Sequence, residues 1–415
     1  MLYKIFLLAL SLFFVSTTSL FAQKNELWGM TSGGMSNGTI FKTDSTGNNI
    51  ELVYAFGDEG YCPNGTRFTQ YINGNMYAVI NSGKYNSGAI FEFDPYNNIY
   101  TAKHYFSDEP DGAYPVGAML LANNSKFYGM CIAGGDYGHG IIYEYDPSNE
   151  KYKVIYSFKD TITGMIPIGS LIQATNGKLY GMTIMNQSVY NASYSGGTLF
   201  EYDLTTDSLT PKVYFSRSLV PGENNGRRPA GDLVQINNGH LFGMTTYGGT
   251  SYGGVIFDYD IVLDTLIVRH NFTDTLYSTA KINPVGSLIQ AANGKLYGFT
   301  KATLFEFDPT TNQYITKVFL EDTLDVGIYP SGRLLEVSTG KLYGVCNAGG
   351  SHNKGVMFEY NIQNNQCVKK IDFDGVSKGS APTGGLFLST NGILYGMTTY
   401  GGVNNKGIIF DYNYL

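Results

Sequence analysis

One eight-residue string returns again and again along this chain. NGKLYGMT at residues 176–183 reappears as NGKLYGFT at 293–300, TGKLYGVC at 339–346, NGILYGMT at 391–398 and NGHLFGMT at 238–245. Aligned on its aromatic residue, the element falls at Trp28, Tyr77, Tyr128, Tyr180, Phe242, Tyr297, Tyr343 and Tyr395, in steps of about fifty residues. A period of that size confines the fold to architectures that stack one supersecondary unit many times.

Each unit carries four short elements. A Pro-x-Gly-x-Leu segment, such as PIGSL at 167–171 or PVGSL at 284–288, precedes the LYG element. An alternating aromatic and acidic segment follows, as in FEYD at 200–203 and FEFD at 91–94, and the fourth element ends in Phe, as in VIYSF at 154–158. All four are rich in aromatic and β-branched residues and are bounded by turn formers, which is the pattern of strands. Asp94-Pro95, Asp146-Pro147 and Asp308-Pro309 mark β-turns after the third element, because Asp bonds its own backbone and Pro presets φ. Glycine pairs (Gly134-Gly135, Gly248-Gly249, Gly349-Gly350, Gly401-Gly402) supply positive φ in the loop between the second and third elements. The 52 glycines beside 34 tyrosines and 25 phenylalanines fit strands and tight turns, and no stretch shows a helical period.

Four antiparallel strands per repeat predict an all-β fold, a β-propeller, forming one domain over residues 23–415. The repetition is then structural, since each blade must offer similar apolar knobs and flat glycine surfaces to two neighbours. The second and third elements occur eight times and the first and fourth seven times, which favours eight blades with incomplete terminal ones. The alternative is seven blades, closed by a strand at 51–56 pairing beside 410–413, with the first hairpin left over.

The run GSLIQATNGKLYGMT…GGTLFEYD, residues 169–203, resembles the tandem repeat of the GloVer-containing, "choice-of-anchor" exported proteins, and the resemblance extends over essentially the whole mature chain. It implies export and a repeat scaffold. It implies no catalytic activity. Members of that family often carry a C-terminal surface-sorting signal, whereas this sequence ends within a strand pattern at Leu415.

Export is also read from the first residues. Lys4, an apolar run from Ile5 to Val15 and small polar residues up to Ala22 make a signal peptide over residues 1–22, cleaved near Ala22. The apolar run is short for a bilayer, so no transmembrane span is expected after cleavage, and the protein is placed in the periplasm, at the cell surface or outside the cell. A net charge of −7 with few basic clusters argues against nucleic acid as a partner. Cys131 and Cys346 occupy the same position in distant repeats and are read as small core residues, with Cys62 and Cys367 lacking evident mates.

The search for chemistry yields little. His104, His139, His240, His270 and His352 are read as lying at unlike repeat positions, with no HxH or HExxH, so no metal, cofactor or catalytic residue is assigned. His139 and His352 are read as exposed loop residues. The acids of the third strand (Glu92, Glu144, Glu201, Asp258, Glu306, Glu359, Asp411) recur too regularly for a single site and are read as structural, bonding blade to blade or facing solvent. Asp58, Asp108, Asp160 and Asp274, each two residues after Phe, are read as turn formers.

In a meander the glycine loops and the interblade loops share one face, where ligand contacts would concentrate. The Tyr180 unit enlarges both, with MNQSVYNASYSGG at 185–197 and SRSLVPGENNGRRPAG at 216–231, whereas the Tyr297 unit cuts its glycine loop to FTKATLF. The candidate ligand-binding residues are therefore Tyr190 and Tyr194, which offer flat faces to a sugar or peptide, and Arg217, Arg227 and Arg228, with Glu223 between them, which could hold a carboxylate or sulfate. The reading is a monomeric, non-catalytic binding or structural module with a glycan or protein ligand. Its rival is a propeller hydrolase or lyase acting on extracellular polysaccharide or peptide.

Overall fold

A computed structural model describes residues 27–31, 39–43, 51–55, 67–80, 84–94, 97, 99–159, 163–185, 195–216, 224–236, 239–273, 282–320, 326–375, 377–388, 393–400 and 409–413. The signal peptide expectation lies outside them. Every regular element among the described residues is a strand.

Strands pair antiparallel with their sequence neighbours. The first sheet has three (Leu27–Thr31, Thr39–Thr43, Glu51–Ala55), the eighth has three (Ser380–Leu388, Ile393–Tyr400, Ile409–Asn413), and six between them have four each. A single parallel bridge, Ser287 to Arg333, links the sixth sheet to the seventh. The Pro-x-Gly strands pack against one another in series, from Ala113–Leu121 through Met165–Gln173, Arg227–Gln235, Pro284–Gln290 and Ile328–Ser338 to Ser380–Leu388. They form the inner wall of a β-propeller. Glu51–Ala55 pairs with Thr39–Thr43, so the first hairpin has its own third strand, and the pairing expected beside 410–413 in a seven-blade closure is not made among the described residues. Leu27–Thr31 lies instead against Ile393–Tyr400.

The core sits between sheets, as a repeat with no core of its own requires. Tyr128, Met130 and Ile142 of the third sheet pack with Leu171, Leu179, Phe200 and Tyr202 of the fourth. Tyr297, Phe299 and Leu304 of the sixth pack with Leu342, Phe358 and Tyr360 of the seventh. Each such side chain contributes on the order of 1.5–3 kcal/mol on burial.

The aromatic of the LYG element and the acid of the third strand are direct cross-strand partners, Tyr180 with Glu201 and Tyr297 with Glu306. Their side chains bond: Tyr297 Oη donates to Glu306 Oε2 at 2.5 Å, Tyr128 Oη to Glu144 at 2.7 Å, and Tyr180 and Tyr343 to Glu201 and Glu359. The lysine two residues before the tyrosine completes the set, with Lys126, Lys178 and Lys295 reaching the same carboxylates at 2.6–2.7 Å. The structural reading of these acids holds, but the bonds run within each sheet, because strand register puts the pair side by side. In the fifth sheet the tyrosine is Phe242, which has no hydroxyl, and Asp258 is met by His240 Nδ1 at 2.7 Å and Arg269 Nη2 at 2.6 Å. Tyr297→Phe should therefore lower stability by about 1.5–3 kcal/mol, the value of a hydrogen bond to a charged group. Urea unfolding of both proteins measures this, and equal midpoints would count against it.

The turns follow their chemistry. Asp146 Oδ1 accepts from Ser148 N at 3.0 Å and Asp308 Oδ1 from Thr310 N at 2.8 Å. Gly134-Gly135, Gly248-Gly249 and Gly349-Gly350 have φ of +78° and +78°, +88° and +74°, and +87° and +77°. Asp108 also turns the chain, at φ +75°. Gly401-Gly402, Asp58, Asp160 and Asp274 lie outside the described residues, as does Cys62. Cys131 and Cys346 are buried, unbridged thiols, as expected.

Candidate functional site

Four of the six expected ligand-binding residues, Tyr190, Tyr194, Arg217 and Glu223, lie outside the described residues. The other two do not belong to a loop. Arg227 is the first residue of the inner strand Arg227–Gln235 and is the cross-strand partner of Tyr247, with its guanidinium carbon 5.5 Å from that ring's centroid. Pairing begins here, skips Arg228 and resumes where Pro229 faces Thr245. Arg228 is exposed and has φ +55°. The shortened loop of the sixth sheet is as expected: Thr300 and Thr303 flank only Lys301 and Ala302, and Thr300 Oγ1 accepts from both Ala302 N and Thr303 N.

Arg228 belongs to a recurring position. Tyr114, Ile166, Arg228, Tyr329 and Ala381 each precede the proline of an inner strand and have φ between +51° and +58°. Such backbone is costly for a side chain larger than glycine. It is held by the preceding sheet's glycine loop, whose carbonyls accept from this position: Tyr114 N to Ser87 O, Ile166 N to His139 O and Ala381 N to Lys354 O. At this seam Tyr114, Arg228 and Tyr329 are exposed, Ile166 and Ala381 are half-buried, and in the sixth sheet Asn283 is buried and donates to Thr246 O.

Exposed tyrosines gather on this loop face. Tyr85, Tyr137 and Tyr252 stand in glycine loops, Tyr400 leads into one, and Tyr114 and Tyr329 hold the pre-proline position, with between 44% and 62% of their surface free. Sequence reading placed the binding tyrosines in one enlarged loop and missed these. Tyr114 and Tyr329 share the place before an inner proline, and Tyr85, Tyr137 and Tyr252 share the glycine loops, so aligning the units on those loops would have gathered them.

The wall of the channel is set by the residue after the inner-strand glycine. Gly117, Gly169, Gly231, Gly286 and Gly332 have φ of +66° to +70°. A methyl group on Gly169 would sit 2.4 Å from Gly231 O, and one on Gly286 1.9 Å from Gly332 O. Neighbouring inner strands touch backbone to backbone there. The following residues are Ala118, Ser170, Asp232, Ser287, Arg333 and Gly385, and counting back ten from the LYG aromatic adds Arg67 in the second sheet. They interlock around the wall: Ala118 N donates to Ser170 Oγ at 3.0 Å, Ser170 N to Asp232 Oδ1 at 2.8 Å and Asp232 N to Ser287 Oγ at 3.0 Å. Arg67 Nη1 reaches Asp232 Oδ2 at 3.6 Å, from the second sheet to the fifth. The Arg333 stem lies over Gly385, whose added Cβ would be 3.2 Å from Arg333 Cγ. Burial, and then the like charge of Arg67, lower the Arg333 pKa, with Asp232 opposing.

The histidines correct one expectation. His104 and His270 share a repeat position, two residues before Phe106 and Phe272. Each stacks on a tyrosine of the next sheet, His104 on Tyr152 at 3.6 Å and His270 on Tyr314 at 4.0 Å between ring centroids. His104 also meets the Asp111 carboxylate at 3.0 Å. Of the two loop histidines, His352 is exposed and His139 is half-buried against the next inner strand. Among the described residues no three His, Cys, Asp or Glu side chains group as metal ligands would.

Residues 63–303 and 278–414 match the model of the Gloeobacter/Verrucomicrobia repeat. No curated protein matches the chain in sequence. In fold it is similar to oligogalacturonate lyase from Vibrio parahaemolyticus, with 8% identity and a TM-score of 0.53 over 94% of this chain and 97% of that one. It is also similar to an oligogalacturonate lyase in complex with manganese (9% identity, TM-score 0.54, 94% of this chain and 97% of that one). A puromycin-hydrolyzing peptidase of Mycobacterium tuberculosis gives 9% identity and a TM-score of 0.53, over 90% of this chain and 57% of that one. At such identities the likeness is one of fold.

Proposed function

The chain belongs to the Gloeobacter/Verrucomicrobia repeat family, and we propose that it is an exported, monomeric binding module whose eight sheets are eight blades of one domain over residues 23–415. Its ligand, a glycan in the first instance, lies on the loop face around the mouth of the channel. The observation that carries this reading is the set of exposed tyrosines on that one face. Flat aromatic faces on a rigid scaffold take up a sugar ring at little entropic cost, because few rotors are frozen. The enlarged loops of the fourth sheet, with Tyr190, Tyr194, Arg217 and Glu223, and the strand-edge Arg227 and Arg228, would form one raised side of the same surface.

The test is a glycan and peptide array probed with the mature protein and with a Tyr114→Ala, Tyr329→Ala double variant. A glycan signal that falls at least tenfold in the double variant, with an unchanged melting temperature, supports the reading. Equal signals would move the site away from this face. Turnover of any arrayed substrate would favour the rival, a hydrolase or lyase on the same scaffold.

A further inference from the structure

Three charged residues stand at the channel position that otherwise holds Ala118, Ser170, Ser287 and Gly385. Nothing in the packing of the blades requires them, since neutral residues serve the other inner strands. Two are arginines and one is an aspartate, so the cluster carries an excess positive charge. One carboxylate cannot neutralise two guanidinium groups. Asp232 Oδ1 already accepts from Ser170 N at 2.8 Å, and Arg67 stands 3.6 Å from Oδ2, beyond hydrogen-bond length. Arg333 is partly buried with its stem packed on Gly385, at the same repeat position as Asp232, and its guanidinium feels the charges of both Arg67 and Asp232.

We propose that Arg67 and Arg333 form an anion site in the channel, which takes the carboxylate of an acidic sugar whose ring rests on the tyrosines of the loop face. The planar guanidinium fork matches a carboxylate through two parallel hydrogen bonds. Asp232 orients Arg67 and repels a second anion, which limits the site to one carboxylate. Sugar is preferred to peptide because the surrounding face offers flat tyrosine rings and glycine loops. The inference rests on the loop-face reading above and names the charge class of its ligand.

Titration calorimetry at low and moderate salt, with an oligomer of glucuronic acid, a neutral glucose oligomer of equal length and a peptide with a free C-terminal carboxylate, tests it. The glucuronate oligomer is expected to bind the wild type, with affinity falling as salt rises. Arg333→Gln and Arg67→Gln should each weaken it at least tenfold, Arg333→Lys less, and Asp232→Asn should tighten it severalfold. A cluster that merely ties the blades together predicts the reverse for Asp232→Asn, with loss of melting temperature and no gain in affinity. Circular dichroism confirms that each variant is folded. Binding of the neutral oligomer that ignores Arg333→Gln would leave the loop-face reading standing and overturn the anion site. Binding of the peptide alone, through the same arginines, would overturn the choice of sugar. Failure of the glucuronate oligomer to bind would overturn the anion site, while the array and the Tyr114→Ala, Tyr329→Ala variant decide the loop-face reading separately.

Discussion

Gly286→Ala is expected to cost about 2–5 kcal/mol, a large share of the roughly 5–15 kcal/mol that holds a folded protein together. The left-handed backbone at φ +66° contributes about 1–2 kcal/mol of that for a residue with a Cβ. The methyl group, 1.9 Å from Gly332 O, contributes about 1–3 kcal/mol by overpacking. The contact is with backbone of the next inner strand, so relief means moving a whole sheet. Gly294→Ala in the same sheet is the control. Its φ is +81°, yet nothing lies within 4 Å of the added carbon, so only the backbone cost of about 1–2 kcal/mol should appear. Urea unfolding compares the two, and equal losses would show that the inner strands part without cost.

Acid should weaken the fold through His270, whose pKa burial lowers from 6.5 to about 4. Above pH 6.5 the ring is neutral in folded and unfolded chains alike and costs nothing. Below it the unfolded chain takes a proton that the folded chain refuses, so stability falls until the folded state titrates near pH 4. The integrated loss is up to about 3 kcal/mol, less whatever solvent screens at this half-buried site. His270→Phe keeps an aromatic ring over Tyr314 and removes the titration. Its stability curve should flatten relative to wild type across that window. Parallel curves would mean that the stacked ring is protonated in the folded state.

Much of the fold was legible because each strand announces itself locally. Tyr180 and Glu201, or Tyr297 and Glu306, sit in patterned segments joined by glycine loops, and pairing of sequence neighbours needs no long-range information. Cys131 and Cys346 were readable as unbridged for the same reason, since equal repeat positions lie on different blades. The histidines were less legible. His104 and His270 align only when the fourth strands are matched on Phe106 and Phe272, and stacking on Tyr152 and Tyr314 depends on how far neighbouring sheets stagger. Of the site, the loop face could be anticipated from alternation of the turns. Arg227 and Arg228 were misplaced into a loop because nothing in their local pattern shows that Arg227 pairs with Tyr247.

By itself the sequence determined the repeat, the four strands of each unit and the chemistry of its turns, because period, residue type and turn formers act over a few residues. Which side chains meet on the axis was decided only by tertiary structure. Arg67, Asp232 and Arg333 come from three units widely separated along the chain; Asp232 and Arg333 are each one residue in an inner strand, and Arg67 stands two residues before one. Gly231 and Gly332, at φ +70° and +68°, immediately precede Asp232 and Arg333, and the ring of sheets brings Arg67 of the second sheet to the same centre. Arg67 and Asp232 approach to 3.6 Å although they belong to the second and fifth sheets. Charge convergence of that kind depends on the closure of the ring, which no single repeat encodes.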